Sequence, residues 1–178
     1  NFSDNPSSAG FANQDGNTAQ ELYNDDIFVG YRYYDTFGKD VSYAFGYGGS
    51  YTTFAMSTKS VKADKDKVTV QVKVKNTGSV SGKEVAEVYF SAPDGSIEKP
   101  YQELAGFAKT DNLAPGESQK LTVTYKTTEM SSYDEAKAAY VMEDGDYIIR
   151  VGNSSRNTHV AGKISVAEDT ITEQYSNL

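Results

Sequence analysis

Residues 68–78, VTVQVKVKNTG, alternate without a break: Val68, Val70, Val72 and Val74 fall on one side, and Thr69, Gln71, Lys73 and Lys75 on the other. An extended backbone turns successive side chains to opposite faces, so the pattern fits a strand with one face in a core and the other in water. A helix would spread the same valines around its circumference. Further strands follow. EVAEVYFSAP (84–93) places Ala86, Val88 and Phe90 on one face, QKLTVTYK (119–126) supplies Leu121, Val123 and Tyr125, GDYIIRVG (145–152) supplies Tyr147, Ile149 and Val151, and VAGKISVAED (160–169) closes with Val160, Ile164 and Val166. Turn chemistry lies between them in NTGSVSG, Pro115-Gly116 and Asp144-Gly145, and Ser132–Lys137 reads as a helical turn. About seven short strands at such spacings predict a mainly β chain, an antiparallel sandwich of immunoglobulin type. No βαβ unit and no internal repeat is visible.

Ahead of these strands the texture is different. Residues 1–22 are rich in Asn, Ser, Gly and Asp and read as a surface loop. YNDDIFVGYRYYDTFGKD (23–40) is dense in aromatic and charged side chains and shows no helical face. Its alternation of Ile27, Val29, Tyr31 and Tyr33 with Phe28, Gly30, Arg32 and Tyr34 predicts a short strand covered on both sides. The chain has 14 Tyr and 8 Phe but no Trp, and tyrosine suits surfaces that are half buried and half wet.

The charge and the absent residue types exclude whole classes of function. A net charge of −8 with no Lys/Arg stripe argues against nucleic acid and against an anionic membrane surface, while uncharged partners such as sugars remain compatible. Without cysteine there is no disulfide, no thiolate metal site and no Cys nucleophile, and both the bacterial cytoplasm and secretion fit. No run of 18 apolar residues exists to form a spanning helix. The polar start NFSDNPSSAG is neither a signal peptide nor a natural initiator, so the sequence reads as beginning inside a longer polypeptide.

DDIFVGYRYYDTFG followed by FGYGGSYTTF resembles the motif pair that closes the α/β sandwich domain of glycoside hydrolase family 3, the family of β-glucosidases and β-xylosidases. VKVKNTGSVSGKEVAEVYFSAP, KPYQELAGFAKT, LAPGESQKLTV, SSYDE and MEDGDYIIRVGNSS resemble, in order, its fibronectin type III-like domain. The resemblance implies three parts: a loop-rich terminal segment of the α/β sandwich domain at 1–56, a fibronectin type III-like β-sandwich at 57–167 and an exit linker at 168–178. It also implies a retaining hydrolase whose catalytic residues are an Asp nucleophile in a Ser-Asp-Trp context and a Glu acid/base. With no Trp here, and with the Glu normally well upstream of the aromatic strip, the chain is expected to be a non-catalytic part of such an enzyme, needing no cofactor or metal. The implied partners are the remaining barrel and α/β sandwich domains and, for the parent, a β-linked oligosaccharide. A homo-oligomer and a parent with its barrel after the fibronectin-like domain are both compatible. Two positions depart from the family pattern: Gly49 stands where a bulky apolar residue is usual, which removes an anchor, and Tyr140 stands where Trp is frequent.

The residues expected at an interdomain or cleft-adjacent contact are Asp26, Tyr31, Arg32, Tyr33, Tyr34 and Asp35. Retaining hydrolysis needs two carboxyl groups about 5–5.5 Å apart. Adjacent Asp25 and Asp26 would point to opposite faces of a strand, and Asp35 starts a turn, so structural roles are expected for all three. Arg32 has four readings: stacking on Tyr33 or Tyr34, pairing with Asp26, holding a carboxylate of a neighbouring domain, or touching sugar directly. His159 has no second ligand at metal spacing and is expected at a turn or sandwich edge. DKDK (64–67) reads as a solvated turn, and GYGG, which opens no helix, is a weak phosphate cradle. A free-standing carbohydrate-binding or adhesion module is the alternative reading, and it would call for a row of exposed aromatics on one sandwich face.

Overall fold

The computed structural model describes residues 2–10, 16, 19, 20 and 23–176. Its strands are β1 (Phe54–Ala63), β2 (Lys67–Asn76), β3 (Val85–Ser91), β4 (Glu103–Lys109), β5 (Ser118–Lys126), β6 (Ser132–Asp134), β7 (Ala139–Met142), β8 (Gly145–Gly152), β9 (Thr158–Val166) and β10 (Thr170–Gln174). They form three antiparallel sheets, ordered β1-β2-β5, β4-β3-β8-β9 and β10-β7-β6. The first two sheets make the sandwich. In β2 the four valines are fully buried, as the alternation requires, and in the β2–β5 register Val70 faces Val123 and Val72 faces Leu121. Directly opposed residues of an antiparallel pair share a face. One face of this sheet therefore meets Ala86, Val88 and Phe90 of β3 and Tyr147, Ile149 and Val151 of β8 in a common core.

β3 is buried on both sides. Glu87 and Tyr89, which alternate with its core residues, point away from the sandwich interior and are covered as well. Whatever covers them has to come from elsewhere in the chain.

Two loops are fixed by buried polar side chains. Asn76, fully buried at the end of β2, donates to Val80 O (2.8 Å) and Leu113 O (2.9 Å) and accepts from Gly78 N (3.0 Å) and Thr52 Oγ1 (2.8 Å). All four hydrogen bonds of the amide are made, which offsets the cost of taking it out of water. Glu143, between β7 and β8, accepts from Ser96 N and Ser96 Oγ (2.7 Å each) and pairs with Lys99, tying the loop before β4 to the base of the sandwich.

Three segments differ from the sequence reading. The strand expected over 27–34 is not formed: Tyr31–Thr36 is a helix, α1, and Asp35, expected to start a turn, lies within it. Its residues favour strand by propensity, yet a six-residue element takes its conformation from packing, and tertiary contacts hold this one. Ser132–Lys137, expected as a helical turn, is instead β6 and the start of its hairpin to β7, with Asp134 Oδ1 accepting from Lys137 N (3.1 Å) inside the bend. The exit segment contains β10, which covers the edge of β7 with Ile171 opposite Val141. Apart from Ile171, itself exposed, its side chains are polar and mostly wet, while the backbone ladder satisfies an otherwise open edge. Tyr133, Tyr140 and Tyr175 meet edge-to-face on this small sheet, with ring centroids 5.3–6.4 Å apart. Of the 1–22 loop, residues 1, 11–15, 17, 18, 21 and 22 lie outside the described residues, and so do Asn177 and Leu178 of the exit linker.

Candidate functional site

The cover over β3 is the aromatic strip itself. The Tyr31 ring stacks on Phe45 (centroids 4.5 Å apart, 23° between planes) and meets Tyr89 edge-on at 6.0 Å, while its phenol oxygen accepts from Leu104 N at 2.7 Å. One turn further along α1, Thr36 Oγ1 accepts from Tyr101 N (2.8 Å). Arg32 Nη2 pairs with Glu103 Oε2 at 2.7 Å. The Asp35 carboxylate accepts from Arg156 Nε at 2.7 Å, and Arg156 also donates to the Tyr34 carbonyl (3.1 Å) and to the Lys39 carbonyl. Phe45 O accepts from Ser155 N (2.8 Å). The strip is thus fastened to the first half of β4 and to the turn between β8 and β9.

Of the four readings of Arg32, pairing with Asp26 is not found: Arg32 pairs with Glu103 on β4, and Asp26 sits exposed in the turn before α1 at φ 49°. The contact made by α1 has its other half in the sandwich of this chain. Tyr33 packs its ring on Tyr34 and Phe37, at 5.4 and 5.0 Å. Sequence reasoning missed Glu87, Tyr89, Glu103 and Arg156. The first two carried a readable signal, because a bulky tyrosine on the supposed wet side of a sandwich strand asks for a cover. Arg156, in the polar turn NSSRN, carried none.

The seam has a distinct electrostatic character. Burial raises the Glu87 carboxyl above its ordinary range, although the Tyr89 hydroxyl donates to it at 2.6 Å. Burial first, and then the Glu87 carboxylate, raise the Tyr89 phenol. Glu103 is also raised by burial, against the pull of Arg32. Gly46 lies directly over Glu87: at φ 81° its backbone is in the region glycine favours, and an added Cβ would run into the carboxylate. Among the described residues, no group of three or more His, Cys, Asp or Glu side chains is placed to hold a metal ion.

Beyond the seam, Tyr43, Tyr47 and Tyr51 turn their rings outward, while Phe45 between them stays stacked on Tyr31. Tyr43 and Tyr47 lie 5.2 Å apart, both mostly exposed, and Tyr51 is 100% exposed. A Cβ added at Gly49 would meet nothing within 4 Å, so the position opens on free space. At the opposite edge of the sandwich, His159 Nε2 lies 3.1 Å from Thr58 Oγ1 and links β9 to β1. In DKDK, Asp64 Oδ1 accepts from Asp66 N and Lys67 N, both at 2.9 Å.

Residues 84–155 match the fibronectin type III-like domain. A beta-glucosidase of Ruminococcus albus is 41% identical over 179 residues, which cover 97% of this chain and 18% of the relative. Among solved structures, a beta-glucosidase from Paenibacillus barengoltzii superimposes with a TM-score of 0.91 at 46% identity, over 99% of this chain and 20% of that one. Beta-glucosidase 3B from Thermotoga neapolitana, in complex with glucose, gives 0.89 at 44% identity, over 96% and 24%. The chain therefore spans between 18% and 24% of the length of these relatives.

Proposed function

From a chain that is a homologue of beta-glucosidases along nearly its whole length and carries a fibronectin type III-like domain, we propose a non-catalytic bracing role inside a retaining glycoside hydrolase. The parent hydrolyses terminal β-glycosidic bonds of oligosaccharides through a covalent glycosyl-enzyme. This chain's part is to fix the domains that carry the reacting carboxylates. Residues 1–56 belong to the α/β sandwich domain, and residues 57–167 form the brace. The observation that carries the reading is the seam over β3, where Tyr31, Arg32, Asp35 and Phe45 fasten the strip to β4 and to the β8–β9 turn. Strip and sandwich move as one body, and a domain continuous with the strip is held by the sandwich.

The outward rings of Tyr43, Tyr47 and Tyr51, together with the open space at Gly49, form the face that meets the rest of the enzyme. Tyrosine is among the residue types that dominate such contacts.

The chain alone gives no turnover of an aryl β-glucoside. Mixing it with a Ruminococcus albus beta-glucosidase that lacks the homologous stretch restores turnover, and Tyr47→Ala weakens the restoration. Activity of the chain by itself, or no restoration under conditions where both polypeptides are folded, overturns the reading.

A further inference from the structure

A half-open cavity of about 210 Å³ lies at the sandwich edge, on the β8–β9 turn whose Ser155 and Arg156 hold the strip but lined by other residues of that turn. Phe54 and Met56 of β1 line it, both partly buried and packed on the core. Its rim is polar: Glu84, Asn153, Asn157, Thr158 and His159. We propose that this cavity binds one ring of a neutral saccharide, the C–H face against Phe54 and Met56 and the hydroxyls on the rim.

The rim is held in place before any ligand arrives. Glu84 accepts from Val85 N at 2.9 Å and from Asn153 Nδ2 at 3.4 Å, Asn157 Nδ2 donates to Asn153 Oδ1 at 2.6 Å, and His159 is held through Nε2 by Thr58. Gly152 lets the turn fold tightly, since a Cβ there would collide with the Asn157 carbonyl. Each amide keeps a second N–H, and Asn157 Oδ1 and His159 Nδ1 have no hydrogen-bond partner among the described residues. The unused groups are therefore donors and acceptors side by side.

That mixture selects the ligand class. A hydroxyl both donates and accepts, so adjacent hydroxyls on a ring match alternating amide and imidazole groups. No Lys or Arg lines the cavity and the chain carries −8, which disfavours an anion. The single carboxylate is already engaged by two N–H donors, which disfavours a cation. The volume is below the roughly 300–1,000 Å³ of sites for drug-sized ligands, so one ring enters while the rest of an oligosaccharide stays in solvent. The proposal goes beyond the bracing role and does not depend on it, because it concerns the isolated chain.

The test is an amide-resolved NMR titration of the 178-residue chain with methyl β-glucoside, cellobiose and, as an open-chain control, sorbitol. The expected result is saturable, millimolar binding of both sugars with shifts confined to the neighbourhood of Met56, Asn153, Asn157 and His159, and none with sorbitol. Asn157→Ala weakens binding roughly five-fold, the effect of one lost neutral hydrogen bond. Glu84→Gln provides a second variant should Asn157→Ala fail to fold: the size of the side chain is kept but one of its two acceptor oxygens becomes a donor, so one rim bond is lost. Binding within about five-fold of the parent is expected, because the carboxylate charge is not what recognises a sugar. Absence of saturable shifts, shifts centred on Tyr133, Tyr140 and Tyr175, equal binding of sorbitol, unchanged affinity of a folded Asn157→Ala chain, or abolition by Glu84→Gln overturns the proposal.

Discussion

Replacing Glu143 by Gln tests how the sandwich holds the loop that leads into β4. The Glu143 and Lys99 side chains are only 6% and 7% exposed, and the same carboxylate also accepts from Ser96 N and Oγ. Burial by itself would raise the carboxyl, but the hydrogen bonds from Lys99 and Ser96 outweigh it and hold the pKa at about 2 against an ordinary 4.5. At ~1.4 kcal/mol per pH unit, the difference is worth ~3 kcal/mol at neutral pH. The slight solvent access left to the two side chains screens the pair in part, so this is a ceiling. Glu143→Gln keeps the acceptor for Ser96 but leaves the Lys99 charge buried without its partner, a change that costs about 3–5 kcal/mol where nothing compensates. With the amide oxygen compensating in part, a loss of about 2–3 kcal/mol is expected. For a chain of this size it lowers Tm by roughly 4–12 °C. The folded pKa is the depressed one, so the advantage of the parent is complete above about pH 4.5 and is lost as the pH falls toward 2. Thermal melts of both chains between pH 7 and pH 2.5 read this directly. A loss below about 1 kcal/mol at pH 7, or a gap that stays constant down to pH 2.5, would refute the reasoning.

Tyr31→Phe keeps the stack on Phe45 but leaves Leu104 N without its acceptor, so a loss of about 1 kcal/mol is expected in urea unfolding, together with faster proteolysis within 23–51. An unchanged cleavage rate would count against the seam. Gly46→Ala forces a side chain into the Glu87 carboxylate from a backbone conformation that disfavours Cβ, and is expected to cost about 2 kcal/mol or more and to release the 43–51 loop in hydrogen exchange. For Glu87 the sign runs opposite to that of Glu143. Burial raises its folded pKa, so its contribution is fully present below the unfolded value and is lost as the pH rises through the folded one. Glu87→Gln, still able to accept from Tyr89, therefore raises Tm at pH 7 and leaves it unchanged near pH 4. A lower Tm at pH 7 would show that the carboxylate makes a favourable contact which only the charged form provides.

The sandwich was legible in the sequence because its strands carry their burial pattern openly. Val68 to Val74, and Tyr147, Ile149 and Val151, alternate with residues of opposite character, and the period alone assigns their faces. The pattern fails in β3, where Glu87 and Tyr89 fill the supposed wet side, because a second partner covers that side and leaves no alternation to read. It fails again in α1. Six residues are too few to show a helical period, and their hydrogen bonds to β4 and to Arg156 connect positions 65 to 122 residues apart. Asn76 read as an ordinary turn residue, and nothing local distinguishes a solvated turn asparagine from one whose amide satisfies two carbonyls across the fold. The saccharide cavity was out of reach for the same reason, since Phe54, Glu84 and His159 come together only when β1, β3 and β9 close the sandwich edge.

The seam contains two kinds of contact, and magnitudes decide which one transmits a bracing force. Its ion pairs are partly wet: Arg32 and Arg156 are each more than a third exposed, and such pairs contribute about 0–1 kcal/mol and weaken in salt. The Tyr31–Phe45–Tyr89 cluster is different. Tyr89 is fully buried, its hydroxyl is spent on Glu87, and each ring contact adds about 0.5–1.5 kcal/mol beyond the area it removes from water. Arg32 and Arg156 therefore set the register of the strip on β4 and the β8–β9 turn, while the tyrosines supply the adhesion. That division accounts for the composition of the strip. An outer face of β3 covered by charge alone would slide and open in salt, and one covered by aliphatic side chains would lack the phenol oxygen that satisfies Leu104 N.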